Sequence, residues 1–95
     1  MKISELKPGM KRVELQGRIT EIGEVREVMT KFGEPGRVAT AVLEDDSGTI
    51  KLSLWNETID TVSVNSTVKI ENGYVTSFRG ETQLNVGRYG KLTVI

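Results

Sequence analysis

Hydrophobic and polar residues alternate most regularly over positions 50–55, where the sequence reads IKLSLW. Successive side chains of a β-strand point to opposite faces, so this alternation predicts a strand with one buried face and one polar face. Trp55, the only tryptophan of the chain, falls on the polar face beside Lys51 and Ser53. A large ring in that position is an unusual core residue. It is a candidate platform for a flat ligand, of which a nucleobase is the commonest.

Alternation of this kind predicts four further strands, and the residue types between the strands predict a tight turn and a short helix. The four strands cover residues 11–23, 37–43, 68–76 and 83–87, the last with an alternative extension through residue 92. The alternation slips around Gly17, which suggests a bulge or a tight bend in the first strand. Residues 45–48 (DDSG) have the composition of a turn. Asn56 is placed to cap a helical turn that buries Ile59 and Val62.

The order of these elements is specific enough to predict a fold. A long bent strand is followed by a hairpin, a helical connection and two more strands. Five strands that close into a small barrel leave no exposed edge, and a helix between the third and fourth strands would cover one open end. We therefore predict one all-β domain over residues 1–95, a five-stranded oligonucleotide/oligosaccharide-binding (OB) barrel. Another small barrel, or half of a sandwich, is the alternative.

The amino-acid composition limits the kinds of catalytic and metal-binding site that this chain can form. The chain has 95 residues, with 13 basic and 13 acidic side chains, and it contains neither cysteine nor histidine. This argues against thiol and imidazole catalysis, disulfides and zinc sites, and we expect no metal and no nucleotide cofactor. No apolar run has the length of a membrane span, no signal-peptide pattern opens the chain, and a cytoplasmic protein is expected. With zero net charge, any nucleic-acid binding must come from local placement of charges.

Two further aromatic residues are candidate platforms. Tyr74 lies in the fourth strand, and its face depends on whether that strand has a bulge at Gly73. With the bulge, Val75 points inward and Tyr74 outward; without it, Tyr74 continues the inward row of the strand. The sequence leaves both open. Phe78 is predicted in the loop that follows, where a buried role is hard to arrange.

Six polar residues surround these aromatics as candidate contacts. Gln83 and Asn85 alternate with apolar residues in the last strand, so their amides could hydrogen-bond base edges. Candidate phosphate contacts are the cations Lys31, Arg37, Lys51 and Arg79. The first two flank the tip of the long loop predicted over residues 26–37, where a basic residue is often only solvated.

Three stretches, at residues 6–10, 43–55 and 68–85, resemble the simple single-stranded DNA-binding proteins of archaea. Those proteins are relatives of replication protein A and of the human sensor of single-stranded DNA. The resemblance implies that three aromatics stack on DNA bases, at Trp55, Tyr74 and Phe78. The middle position is commonly tryptophan in that family, and its role there favours the bulged fourth strand. The loop at residues 30–37 resembles the family only partly.

These observations together predict non-catalytic binding of single-stranded DNA with little sequence preference. The expected setting is DNA replication, recombination or repair, with a monomeric barrel and with replication or repair proteins as further partners. A protein–protein adaptor barrel and a single-stranded RNA binder are the alternatives. No catalytic dyad and no phosphate-cradling glycine motif is visible, so an enzyme is disfavoured.

Overall fold

The computed structural model describes residues 1–29, 33–86 and 90–95, with Phe78 described by its backbone alone. Lys31, a predicted phosphate contact, lies outside the described residues. A short 3-10 helix (Ile3–Glu5) precedes the first strand. The elements that follow are β1 (Val13–Ile22), β2 (Arg26–Met29), β3 (Pro35–Asp45), β4 (Gly48–Trp55), α1 (Glu57–Thr61), β5 (Thr67–Phe78), β6 (Glu81–Asn85) and β7 (Lys91–Val94).

Five strand positions close into a ring. β1 pairs antiparallel with β3, β3 with β4, β6 with β5, and β5 with β1. The ring is closed by β4 and β6, which run parallel. β7 pairs with the first half of β5 and β6 with its second half, so the two segments together fill the fifth position. The predicted all-β, five-stranded OB barrel is therefore confirmed, with its last strand divided in two.

β1 serves two neighbours, and Gly17 lies where it passes from one to the other. Residues up to Arg18 pair with β5, and residues from Arg18 onward pair with β3. A Cβ atom on Gly17 would lie 2.8 Å from the carbonyl oxygen of Glu44, so only glycine permits this close approach. Burial alternates without a slip through Gly17, and the bulge lies between Ile19 and Glu21. Of the two predicted alternatives at Gly17, the bulge is therefore wrong in position, and Gly17 instead marks the change of partner strand.

The helical connection between β4 and β5 is confirmed, and it covers one end of the barrel. Ile59 and Val62 are buried in the core that the inward-facing strand residues form. Full burial of such a side chain is worth about 1.5–3 kcal/mol. The predicted capping role of Asn56 is wrong, because its side chain makes no cap hydrogen bond. Its Oδ1 atom accepts a hydrogen bond from the backbone N–H of Arg37 instead, at 3.0 Å.

The segment predicted as a long loop contains a strand. β2 pairs antiparallel with the beginning of β3, from Arg26 opposite Val38 to Met29 opposite Pro35. The result is a hairpin that extends beyond the ring, and β3 begins at Pro35 rather than at Arg37. No helix within the described residues is long and apolar enough to cross a membrane.

Candidate nucleic-acid interface

Trp55 ends β4 with its side chain on the outer face of the barrel. Leu54 is fully buried, whereas Trp55 is 38% exposed, as the alternation of the sequence predicts. Across the sheet Trp55 is opposite Val38 of β3. The ring therefore lies at the edge of the outer face, close to the point where the chain leaves β4 for α1.

A bulge in β5 places Tyr74 on the same outer face. Opposite Val13 and Leu15 of β1 stand Gly73 and Ile70, so β5 carries one extra residue between them. Within this interval Asn72 adopts a left-handed conformation with φ of 55°. Beyond the bulge Val75 is buried and Tyr74 is 39% exposed. The bulged alternative is thus confirmed, with Asn72 as the residue in the unusual conformation.

β6 lies between the two strands that carry the exposed aromatic residues. One cross-strand row runs from Ser53 through Asn85 to Tyr74. The next row runs from Lys51 through Gln83 to Thr76. Strand spacing and residue rise place the Cα atoms of Trp55 and Tyr74 roughly 12 Å apart, enough for each ring to meet a different base.

The two amides of this face differ in accessibility. Asn85 is only 9% exposed, and its Nδ2 atom donates a hydrogen bond to the hydroxyl of Thr76 at 3.0 Å. This contact holds the amide in one orientation. Gln83 is half-buried in the row that contains Lys51, so it offers more surface to a ligand than Asn85 does.

Phe78 is the last residue of β5, not a loop residue as predicted. Its backbone pairs with Glu81, and Arg79 and Gly80 form the two-residue connection between β5 and β6. Both have positive φ, 52° and 78°, as the type I′ hairpin turn requires. Arg79 is exposed at this turn.

Arg37 is not on the face that carries Trp55. Its neighbour Val38 pairs with Trp55, and successive residues of β3 point to opposite faces. The guanidinium Nη2 atom of Arg37 lies 2.8 Å from a carboxylate oxygen of Asp60 in α1. This hydrogen bond and the charge of Asp60 raise the pKa of Arg37 and lower the pKa of Asp60.

A cleft that the sequence did not indicate adjoins the outer face at Lys51. It has a volume of about 460 Å³ and lies between the N-terminal 3-10 helix, the start of β4 and the β5–β6 turn. Its lining includes the polar side chains of Thr49, Lys51 and Thr82 together with apolar side chains. Threonine is common in strands, so its presence gave no signal of a concave surface. Within the described ranges no group of three or more acidic side chains is placed to hold a metal ion.

Comparisons with known proteins agree with this architecture. Residues 6–94 match a family model described as "Single-stranded DNA binding protein Ssb-like, OB fold". The chain is 36% identical over 91 residues to the single-stranded DNA binding protein Ssb of Saccharolobus solfataricus, covering 96% of this chain and 61% of that protein. It is 33% identical over 97 residues to replication factor A of Methanothermobacter thermautotrophicus, covering 96% of this chain and 12% of that protein.

The chain therefore spans less than two thirds of the length of either relative. Among solved structures, the second OB-fold domain of replication protein A from Methanococcus maripaludis superposes with a TM-score of 0.82 at 27% sequence identity. That superposition covers 100% of this chain and 93% of the other.

Proposed function

We propose that this chain, which belongs to the Ssb-like family of single-stranded DNA-binding proteins with the OB fold, binds single-stranded DNA without catalysing a reaction on it. The observation that carries the proposal is the pair of exposed rings, Trp55 and Tyr74, on one polar face of the barrel. Stacking of a base on an aromatic ring contributes about 1–3 kcal/mol per base. Every base has such a face, so binding of this kind has little sequence preference.

The neighbours of the rings support the same function. Lys51 occupies the outer face two residues before Ser53, in the row shared with Gln83. A cation at this position can meet a phosphate while the rings hold the bases. Phe78 at the end of β5 is proposed as the third platform, and Arg79 in the adjoining turn as a second phosphate contact. Asn85, which is nearly covered, is proposed to act mainly through the orientation of Thr76.

The names of the relatives support a proposed biological setting. The curated relatives are named as a single-stranded DNA binding protein and a replication factor. We accordingly place this domain among proteins that hold exposed single strands during replication, recombination or repair. Other replication or repair proteins are the proposed protein partners, and one barrel acting as a monomer is the proposed binding unit.

The fluorescence of Trp55 provides a direct test. Addition of a thymine-rich single-stranded oligonucleotide is expected to quench the emission, because a stacked base quenches indole. The matched duplex should quench far less, since its bases are not free to stack on a protein ring. The same titration with the corresponding RNA strand, which has uracil in place of thymine, shows whether the protein prefers DNA or RNA.

A labelled oligonucleotide followed by anisotropy makes the outcome unambiguous. Binding without quenching would remove Trp55 from the site. Absence of binding to any single strand would reject the function and favour the protein–protein adaptor.

A further inference from the structure

Arg37, Asn56 and Asp60 form a set of contacts directly behind the Trp55 platform, which we name the Arg37 clamp. The backbone N–H of Arg37 donates to Oδ1 of Asn56 at 3.0 Å, and the backbone N–H of Asn56 donates to the carbonyl oxygen of Arg37 at 2.9 Å. The guanidinium Nη2 donates to Asp60 at 2.8 Å and to the backbone carbonyl of Asn56 at 3.3 Å. β3 is thereby joined both to Asn56, which connects β4 to α1, and to α1 itself.

The clamp lies where the end of β4 would otherwise be weakly held. Trp55 is the last residue of β4, and Val38 is its partner on β3. The Arg37 clamp continues this ladder by one residue pair beyond Trp55. The backbone needs such support here, because Asn56 has φ of 49° and ψ of −124°, a conformation that L residues rarely adopt.

The surroundings of Arg37 do not suit a phosphate. Asp60 holds the guanidinium through two hydrogen bonds, at 2.8 and 3.5 Å. Glu27, opposite Arg37 on β2, and Glu57 at the start of α1 also act on it electrostatically. A phosphate approaching Arg37 would meet these three carboxylates, and it would do so on the face opposite to Trp55.

We propose that the Arg37 clamp positions Trp55 for base stacking, and that Arg37 and Asp60 affect DNA binding through this ring without touching DNA. The inference rests on the proposed function, since it assigns the clamp to the same platform. Immobilising a mobile side chain on binding opposes affinity, so a strand end that already holds the ring in place favours binding. The three clamp residues are positioning residues.

The direction in which Asp60→Ala changes the affinity for an oligonucleotide distinguishes a positioning role of Arg37 from a direct phosphate contact. If Arg37 bound phosphate, Asp60→Ala would release the guanidinium and remove a negative charge, and binding of a labelled oligonucleotide would tighten. If the clamp positions Trp55, Asp60→Ala is expected to weaken binding by about 2- to 10-fold. Glu57→Ala is the matched control, because it removes a carboxylate from the same helix but none of the clamp hydrogen bonds. It should bind within about twofold of the parent.

A double-mutant cycle tests whether the effect passes through the ring. In a Trp55→Ala background, Asp60→Ala is expected to have no further effect on affinity, because the residue being positioned is gone. An equal loss in both backgrounds would overturn the proposal, and so would tighter or unchanged binding of Asp60→Ala alone. Thermal melts confirm that each variant is folded at the temperature of the titration.

Two readouts distinguish positioning from general destabilisation. In the free protein, Asp60→Ala should lower the steady-state anisotropy of Trp55 emission, whereas Glu57→Ala should not. Arg37→Lys, which keeps the charge but loses the planar fork, should weaken binding as Asp60→Ala does.

If Trp55→Ala itself leaves affinity unchanged, the stacking function fails. If Trp55→Ala weakens binding and Asp60→Ala does not, only the clamp fails.

Discussion

At the scale of single residues, the two faces of one strand separate the proposed binding residues from the core residues. Tyr74 and Val75 are neighbours in β5, yet the first is 39% exposed and the second only 2%. Tyr74→Ala is therefore expected to weaken DNA binding by about 1–3 kcal/mol and to leave the melting temperature nearly unchanged. A straight β5 would have made Tyr74 a core residue, with a loss of about 3–5 kcal/mol of stability on truncation.

Val75→Ala is the matched control for Tyr74→Ala. It should lower the free energy of unfolding by about 2–3 kcal/mol, because buried methyl groups are lost and a cavity remains, and it should preserve the stacking surface. One melt and one titration per variant suffice. A large loss of stability in Tyr74→Ala, or unchanged binding, would contradict the assignment of this ring to the outer face.

Asp45 is a residue whose charge stabilises the β3–β4 turn. Its carboxylate accepts hydrogen bonds from the backbone N–H of Ser47 at 2.7 Å, the hydroxyl of Ser47 at 2.6 Å, and the backbone N–H groups of Gly48 at 3.1 Å and Ile3 at 2.8 Å. Burial acts to raise the pKa of Asp45, but the hydrogen bonds outweigh it and the pKa is lowered.

A lowered pKa makes stability depend on pH in a known direction. The contribution of Asp45 is complete above the pKa of the unfolded chain, about 4, and is lost as the pH falls through the lower folded value. Urea unfolding at pH 7 and pH 3 should show this loss in the parent and a smaller one in Asp45→Asn. Some dependence remains in the variant, since the pKa of Asp60 is also lowered. Equal losses in both proteins would show that the turn does not depend on this charge.

At the scale of elements, the bulge of β5 decides which of its residues lie on the outer face of the barrel. Asn72 holds the left-handed conformation on which the bulge depends, and asparagine adopts it more readily than most residues. Asn72→Val should lower the free energy of unfolding by about 1–2 kcal/mol more than Asn72→Gly does, because a β-branched side chain clashes in this conformation and glycine does not. The comparison is made by chemical denaturation. Equal stability of the two variants would indicate that the bulge does not constrain residue 72.

Elements with a regular pattern were predictable from the sequence, and those that depend on partners were not. The alternation in β4 correctly placed Trp55 outward, and the residue types of the DDSG turn and of α1 marked both elements. β2 was missed because it is an edge strand whose exposed residues show no buried row. The face of Tyr74 depends on register with β1, which no local pattern encodes.

The residues of the candidate site also divide into those that a local pattern predicts and those whose position depends on a partner. Strand alternation put Trp55 and Lys51 on the polar face of one strand, and Gln83 and Asn85 on the polar face of another. The pairing of Lys51 with Gln83 brings these two polar rows side by side. The position of Arg37 could not be predicted, because the sequence does not show that Asp60 reaches it from α1. Asn56 likewise resembles a helix cap in the sequence, but the neighbouring strand uses its side chain instead.

At the scale of the whole molecule, binding is expected to be independent of metal ions. The described part of the chain holds no cluster of acidic side chains fit for a cation, and the full sequence has no cysteine or histidine. Titrations with and without a strong chelator should therefore give the same affinity at constant ionic strength. Loss of binding on chelation, with recovery on adding a divalent cation, would contradict this expectation.

Salt dependence reports the charge balance of the whole molecule. The formal net charge is zero, so affinity for DNA cannot come from a general positive field. Each phosphate contact to a single strand contributes about −0.7 to the slope of log affinity against log salt concentration. The four cations predicted from the sequence would give a slope of at most about −3. Without Arg37, which faces Asp60 on the other side of β3, the remaining three should give about −2.

Two variants distinguish the contributions to this slope. Lys51→Ala should make the slope shallower by about 0.7, because a cation of the outer face is lost. Arg37→Ala should leave the slope unchanged even though it weakens binding, because a residue that acts through Trp55 releases no counterion from DNA. Titrations over a range of salt concentrations, with a strand that holds a single protein molecule, provide the measurement. A parent slope much steeper than about −3 would mean that a further basic surface takes part. A shallower slope in Arg37→Ala would return Arg37 to the set of phosphate contacts.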